Sequence, residues 1–210
     1  MESTASTPAE PAYPVTLDVP RPEKQSRITN FPLGIGLLIR YILLIPHLIV
    51  LMFLGLAAGV VGFIADFAIL FTGNYPLGMF NFVKGVQRWG LNVSAYIYHL
   101  RDEYPPFSMD DGKYSLEYEV AYPTSLSRIL NFPILGTYIK FLLALPHFIV
   151  LFFLGLAVYV VLFIATFAIL FTGSFPEGMH RFVVGFVRWS QRVNVYVASM
   201  TDKYPPFSLN

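Results

Sequence analysis

The stretch "IPHLIVLMFLGLAAGVVGFIADFAILFTGNYPLGM" runs from Ile45 to Met79, and "LPHFIVLFFLGLAVYVVLFIATFAILFTGSFPEGM" runs from Leu145 to Met179. The two are nearly the same apolar text, and their reading decides the fold. Leu48 to Ala65 is 18 uninterrupted apolar or glycine residues. Asp66 alone breaks the run before Phe71, and Thr166 is the one polar residue between Phe148 and Phe171. About 20 such residues cross a hydrocarbon core roughly 30 Å thick. A helix buried in a water-soluble core is the competing reading, but it needs polar sequence to cover it. Little is on offer: hydrophobic residues are 55% of the 210 and charged residues 13%, against about 45–50% and 25% in an ordinary soluble domain.

Working outward, the repetition extends well beyond the apolar runs. Tyr13–Val19 (YPVTLDV) matches Tyr114–Val120 (YSLEYEV), and Ser26–Pro32 (SRITNFP) matches Ser127–Pro133 (SRILNFP). Gln87–Tyr96 matches Val187–Tyr196, and YPPFS occurs at 104–108 and 204–208. The chain therefore reads as a flexible N-terminal tail, 1–12, followed by two tandem units, 13–110 and 111–210. Within each unit, VTLDV or LEYEV alternates like a strand. A polar link and an apolar ramp with one cation (Arg40, Lys140) follow. Pro46 or Pro146 then predicts a kink or a helix restart. The main membrane helix runs to Phe71 or Phe171, TGNYP or TGSFP makes a tight turn, and a second helix covers Leu77–Leu100 or Glu177–Met200. The expected fold is an all-α integral membrane protein. It is a duplicated hairpin of a kinked transmembrane helix and an amphipathic helix, with a small strand pair on the cytoplasmic side. YPPFS is stiff and extended; it reads as the segment that closes each unit, with a proline-rich ligand for a partner as the alternative.

The second helix carries a polar stripe: Lys84, Arg88 and Asn92 in unit one, and Arg181, Arg188 and Arg192 in unit two. Such a helix either lies in the interface plane or crosses with its stripe against protein or water. Arg21, Lys24 and Arg27 mark the tail side, and Arg101, Lys113 and Arg128 the inter-unit segment, while the turns carry no Lys or Arg. The positive-inside tendency then places tail, linker and C-terminus in the cytoplasm, the turns on the far side, and the two units parallel; an inverted repeat, with one copy of YPPFS on each side, is the alternative.

Differences between the copies single out candidate sites. Asp66 becomes Thr166 and Lys84 becomes Val184, so both charges vanish together; this predicts an Asp66–Lys84 pair inside the membrane. A proton-relay carboxylate is the alternative. Gly59 and Gly62 become Tyr159 and Leu162, and Gly55 with Gly59 forms a small-xxx-small face. The large side chains of one copy are expected to pack on the glycines of the other, or the face serves a dimer. His47 and His147 are repeat-equivalent. Across a pseudo-twofold axis they could ligate a haem iron or a metal; the competing reading is a pair of polar anchors at helix starts. Trp89 and Trp189, beside arginines, read as anchors. No resident cofactor is expected.

Other function classes find no footing. A net charge of +1 gives no field for nucleic acid. The absence of cysteine removes thiolate chemistry, and no phosphate loop, paired i,i+4 histidines or nucleophile elbow is present.

The blocks FAILFTG-YP, RW and YPPFS, twice over from Tyr13 to Leu209, resemble the bacterial membrane-protein family known as domain of unknown function 4389. Tyr114 opens its unit with YSL where the family pattern has YPV. The resemblance implies a multi-pass protein of the bacterial inner membrane and carries no activity with it. The leading functional expectation is a non-catalytic scaffold or accessory subunit that associates with the bilayer, with itself or with other membrane subunits. A small channel or transporter lined by Lys84, Arg88, Arg188 and Arg192 is the alternative, and a haem or metal protein through His47 and His147 comes third.

Overall fold

The computed structural model describes residues 13–210, and the expected tail, 1–12, lies outside the described residues. Six elements follow one another: β1 (Val15–Asp18), α1 (Ile35–Thr72), α2 (Leu77–Ile97), β2 (Glu117–Val120), α3 (Leu135–Thr172) and α4 (Glu177–Val197). α1 packs on α2 and α3 on α4. The two strands pair antiparallel across the units, Val15 with Val120 through Asp18 with Glu117.

Each long helix is continuous over 38 residues through its proline, so the expected restart at Pro46 does not occur. The proline still removes a donor and opens the preceding turn. Tyr104 Oη donates to Leu43 O at 2.9 Å, and Tyr204 Oη to Leu143 O at 2.9 Å, so YPPFS supplies a donor at that turn. Gly73 and Gly173 end the long helices in the left-handed conformation, at φ 76° and 78°, where glycine carries no steric cost. α2 and α4 stop three residues before the expected ends, because His99 and Ser199 adopt positive φ. Leu100 N then bonds Ala95 O at 2.9 Å and His99 N bonds Tyr96 O at 3.2 Å, the bond pair of a Schellman cap.

The layers are unequal. α2 and α4 are buried on most sides and form the middle, roofed by the strand pair and the YPPFS segments. α1 and α3 lie outermost. Both are long and apolar enough to cross a membrane, and of the most apolar stretch of each only 6% and 22% is buried. α1 buries one stripe, including Gly36, Arg40, Leu44, His47, Ala65, Asp66 and Ile69. The rest of its surface exposes large side chains such as Phe53, Leu56 and Phe71.

The units are related by a pseudo-twofold axis. Leu17 and Tyr118 are repeat counterparts and also direct strand partners, so the axis passes between them. The same symmetry appears where the units meet: Gln25 N donates to Gly173 O at 2.8 Å and Leu126 N to Gly73 O at 2.8 Å. Arg21 reaches Phe175 O at 3.1 Å, and Tyr122 Oη bonds Tyr75 O. Each turn is thus held by the cationic link of the other unit. This corrects the expectation that turns and links lie on opposite faces. The lack of Lys and Arg within the turns misled, because Arg27 and Arg128 sit against them from the partner unit.

Candidate functional site

The densest polar constellation joins α1 to the end of α2. Arg40, on the apolar ramp, is fully buried. Its Nε donates to Thr29 O at 2.9 Å, Nη1 to Tyr96 O and to Arg101 O at 2.8 Å, and Nη2 to Asn30 Oδ1 at 2.7 Å. Asp102 closes the ion pair, and the guanidinium lies 4.3 Å over the Tyr96 ring. Tyr96 O is one of the last carbonyls of α2 and already accepts from His99 N, so the cation adds a charged donor at the negative end of that helix. Asn30 Nδ2 bridges Asp102 Oδ1 at 2.8 Å, and the backbone N–H of Ser26 donates to Asp102 Oδ2. Unit two repeats the clamp with lysine: Lys140 Nζ reaches Asn131 Oδ1 at 2.6 Å, Asp202 at 3.0 Å and Thr201 O at 3.1 Å. Sequence reading passed over this set. Its signal was there in the repeat-equivalent pairs Asn30/Asn131, Arg40/Lys140 and Asp102/Asp202.

His99 completes the first clamp. Its Nδ1 donates to Asn30 Oδ1 at 2.7 Å, since the amide oxygen can only accept. Burial, with Arg40 adding to it, lowers the His99 pKa to about 3. Its unfolded value is about 6.5, so between those limits the unfolded chain binds the extra proton. Stability is therefore full above about pH 6.5 and is lost as pH falls toward 3, at up to about 1.4 kcal/mol per pH unit. Thermal melting of the detergent-solubilised protein should drop between pH 6.5 and 4, and His99→Gln should flatten that slope. A melting midpoint independent of pH over this range would contradict it.

The two candidate ligand histidines do not meet. His47 belongs with Leu44 and Trp89, whereas His147 belongs to the separate cluster of Ala144 and Trp189. Trp89 Nε1 donates to His47 Nδ1 at 2.9 Å, and Trp189 Nε1 to His147 Nδ1 at 2.9 Å. Indole is a donor only, so Nδ1 of each ring is the acceptor and Nε2 carries the hydrogen. Neither nitrogen keeps a lone pair for iron or another metal. Phe107 stacks on His47 at 3.8 Å and Phe207 on His147 at 3.9 Å. These residues build a joint where α1, α2 and YPPFS meet.

The polar stripes are spoken for within the chain. Arg88 donates to Tyr118 O at 3.1 Å and Met109 O at 3.2 Å, and pairs with Glu119 at 3.3 Å. Arg188 donates to Leu17 O at 2.7 Å and Leu209 O at 2.9 Å, and pairs with Asp18 at 3.2 Å. Arg192 reaches Ser208 O at 3.4 Å and lies 5.6 Å over Tyr13. Arg181 is exposed, 3.9 Å from Glu177. The stripes thus bolt α2 and α4 to the strand pair and to the segments after YPPFS.

The Asp66–Lys84 pair is not formed. Lys84 Nζ bonds Glu119 at 2.6 Å on the strand side. Val83 lines the same cleft as Asp66, but Lys84, one residue further along α2, faces the strand side. Asp66 is hydrogen-bonded to Ser199 of unit two and within electrostatic reach of Lys140. The glycines and their bulky counterparts also stay apart. Gly55 and Gly59 have open space where a Cβ would stand, and Gly62 faces Tyr75 Oη at 3.9 Å. Tyr159 and Leu162 line a different cleft, beside Tyr98. Among the described residues, no group of three or more His, Asp or Glu side chains is placed to hold a metal.

No curated protein and no solved structure matches the chain. A family model does, over residues 35–109 and again over 135–208, and its description is Domain of unknown function (DUF4389). The two matches cover most of the chain, so the protein belongs to that family as a tandem pair.

Proposed function

From this membership and the geometry above, we propose that the chain is a non-catalytic scaffold or accessory subunit embedded in the bacterial inner membrane. The observation that carries the reading is the outer layer, two 38-residue helices whose exposed faces are almost wholly apolar. A surface of this kind belongs against lipid tails or another membrane subunit. The main cations support a structural role, because Arg40, Lys140, Arg88 and Arg188 are each consumed by intramolecular bonds. A channel lined by the stripes would need them facing water along a path.

The pseudo-twofold axis supports entry from one side. With the axis along the membrane normal, repeat-equivalent atoms share a depth. The Gln25–Gly173 bond then sets link and turn level with each other, and Gly36 touches Thr29 and Phe31 of the same link. Both ends of α1 come out at one face, so the helix, about 57 Å long at 1.5 Å per residue, lies along the bilayer. The other orientation would carry Asp18, Glu117 and Glu119, exposed on the strands, to the bilayer centre, at about 2.5–3.5 kcal/mol per charge.

The chain should stay with membranes through an alkaline carbonate wash, and appearance in the supernatant without detergent would end the membrane reading. The native chain has no cysteine, which makes single-cysteine labelling clean. Asn74→Cys and Asp111→Cys should both react with an impermeant maleimide from the same side of sealed vesicles. Labelling from opposite sides would show that α1 crosses.

A further inference from the structure

Two clefts flank the pseudo-twofold axis, each between the outer half of one long helix and the start of the other unit. They are symmetry mates in backbone and opposites in chemistry. The cleft on α3 has a volume of about 270 Å³ and is narrowed by Tyr98, Tyr159 and Leu162, with Thr166 at its wall. The cleft on α1 is about 420 Å³ and is lined by Gly59, Gly62, Asp66 and Tyr75, with Tyr138 and Ala198 from unit two. Five equivalent positions have changed together: Tyr159 to Gly59, Leu162 to Gly62, Thr166 to Asp66, Phe175 to Tyr75, and Tyr98 to Ala198. Bulk is removed from the α1 wall and the Asp66 and Tyr75 polar groups enter the space, while on the facing wall Leu37 and Leu38 become Thr137 and Tyr138.

Those polar groups are incompletely used. Asp66 is 6% exposed and Tyr75 0%, yet Asp66 Oδ1 and Tyr75 Oη have no hydrogen-bond partner among the described residues. A buried unpartnered polar atom costs about 1–3 kcal/mol, and more for a charged group. The local charge is also unbalanced. Lys140, the cation whose charge reaches Asp66, is paired with Asp202 at 3.0 Å, so Asp66 has no salt bridge of its own among the described residues. In unit one, Arg40 and Asp102 balance and the equivalent of Asp66 is the neutral Thr166.

We propose that the α1 cleft is a binding site for an ammonium-bearing amphiphile, its charged head on Asp66 Oδ1 and Tyr75 Oη and its alkyl chain along the Gly55–Gly59–Gly62 face. The inference rests on the membrane reading, because the chain-binding face is the one exposed beside lipid. The carboxylate supplies the counter-charge, the phenol a second oxygen for an N–H donor, and the missing side chains the volume. The α3 cleft, narrower and without a carboxylate, is the built-in control.

The test uses the full chain in a nonionic detergent and titrates dodecylamine, dodecanol and 1,4-diaminobutane, with the shift in thermal midpoint as readout. Dodecylamine should bind at least tenfold more tightly than either of the others. Asp66→Asn should abolish that preference, and Gly62→Leu, which keeps the carboxylate and fills the space, should weaken dodecylamine at least tenfold. Thr166→Val should leave it unchanged. Equal binding of dodecanol, or undiminished dodecylamine binding by both Asp66→Asn and Gly62→Leu, would overturn the site. Equal binding of 1,4-diaminobutane would overturn the amphiphile. Membrane retention in the carbonate wash is read separately, so the site can fail while the membrane reading stands.

Discussion

Asp102→Ala should cost the folded protein about 3 kcal/mol, seen as a fall of about 6–12 °C in the melting midpoint of the detergent-solubilised chain. The substitution leaves Arg40 fully buried with a charge it cannot shed. It also removes the acceptor that Asn30 Nδ2 and the Ser26 N–H share, so three groups lose a partner at once. The lower end of the range for breaking a buried pair applies, because Asp102 is partly exposed and carbonyl acceptors remain on the guanidinium. The same truncation in unit two, Asp202→Ala, should cost less. Lysine can release its proton where arginine cannot, and water can follow the shorter side chain. Equal midpoints for wild type and Asp102→Ala would mean that the α2 end is capped by its backbone alone.

Gly36→Ala should be among the most damaging conservative changes in the outer helices. A Cβ at Gly36 would stand 2.6 Å from Phe31 N and 2.7 Å from Thr29 O. These are backbone atoms of the link that also feeds Arg40, so they cannot swing away as a side-chain tip would. Overpacking of this kind costs about 1–3 kcal/mol, occasionally more. Gly55→Ala, with nothing within 4 Å of the new methyl, should instead stabilise by about 0.5–1 kcal/mol, since alanine loses less freedom in a helix. Melting the two variants side by side separates crowding from helix propensity. If both move the midpoint the same way, the close approach of link and helix is not a constraint.

Much of the architecture was legible because duplication printed each element twice. The long apolar helices, the turns at Gly73 and Gly173, and the closing role of YPPFS all followed from period, proline and glycine. The polar contacts were harder to read. Asp66 and Lys84 vanish together in unit two, but each has its own partner, Ser199 and Glu119; co-absence between two copies is not contact. The helix face was the missing quantity: Val83 lines the cleft with Asp66, while its neighbour Lys84 turns to Glu119 on the strand side. The side on which the turns lie escaped for a similar reason. The cations that hold each turn come from the other half of the chain, a hundred residues away, where no local count of charges finds them.

Each link is fastened to the opposite unit's turn, and the strands meet at a pair of counterparts. Every join between the halves is therefore one that two separate half-length molecules could make with each other. The chain is in this sense a covalently tethered homodimer, and fusion lets its halves diverge. Two identical halves would have to keep both hollows alike; tethering lets one be wider and acidic while the other is narrower and neutral.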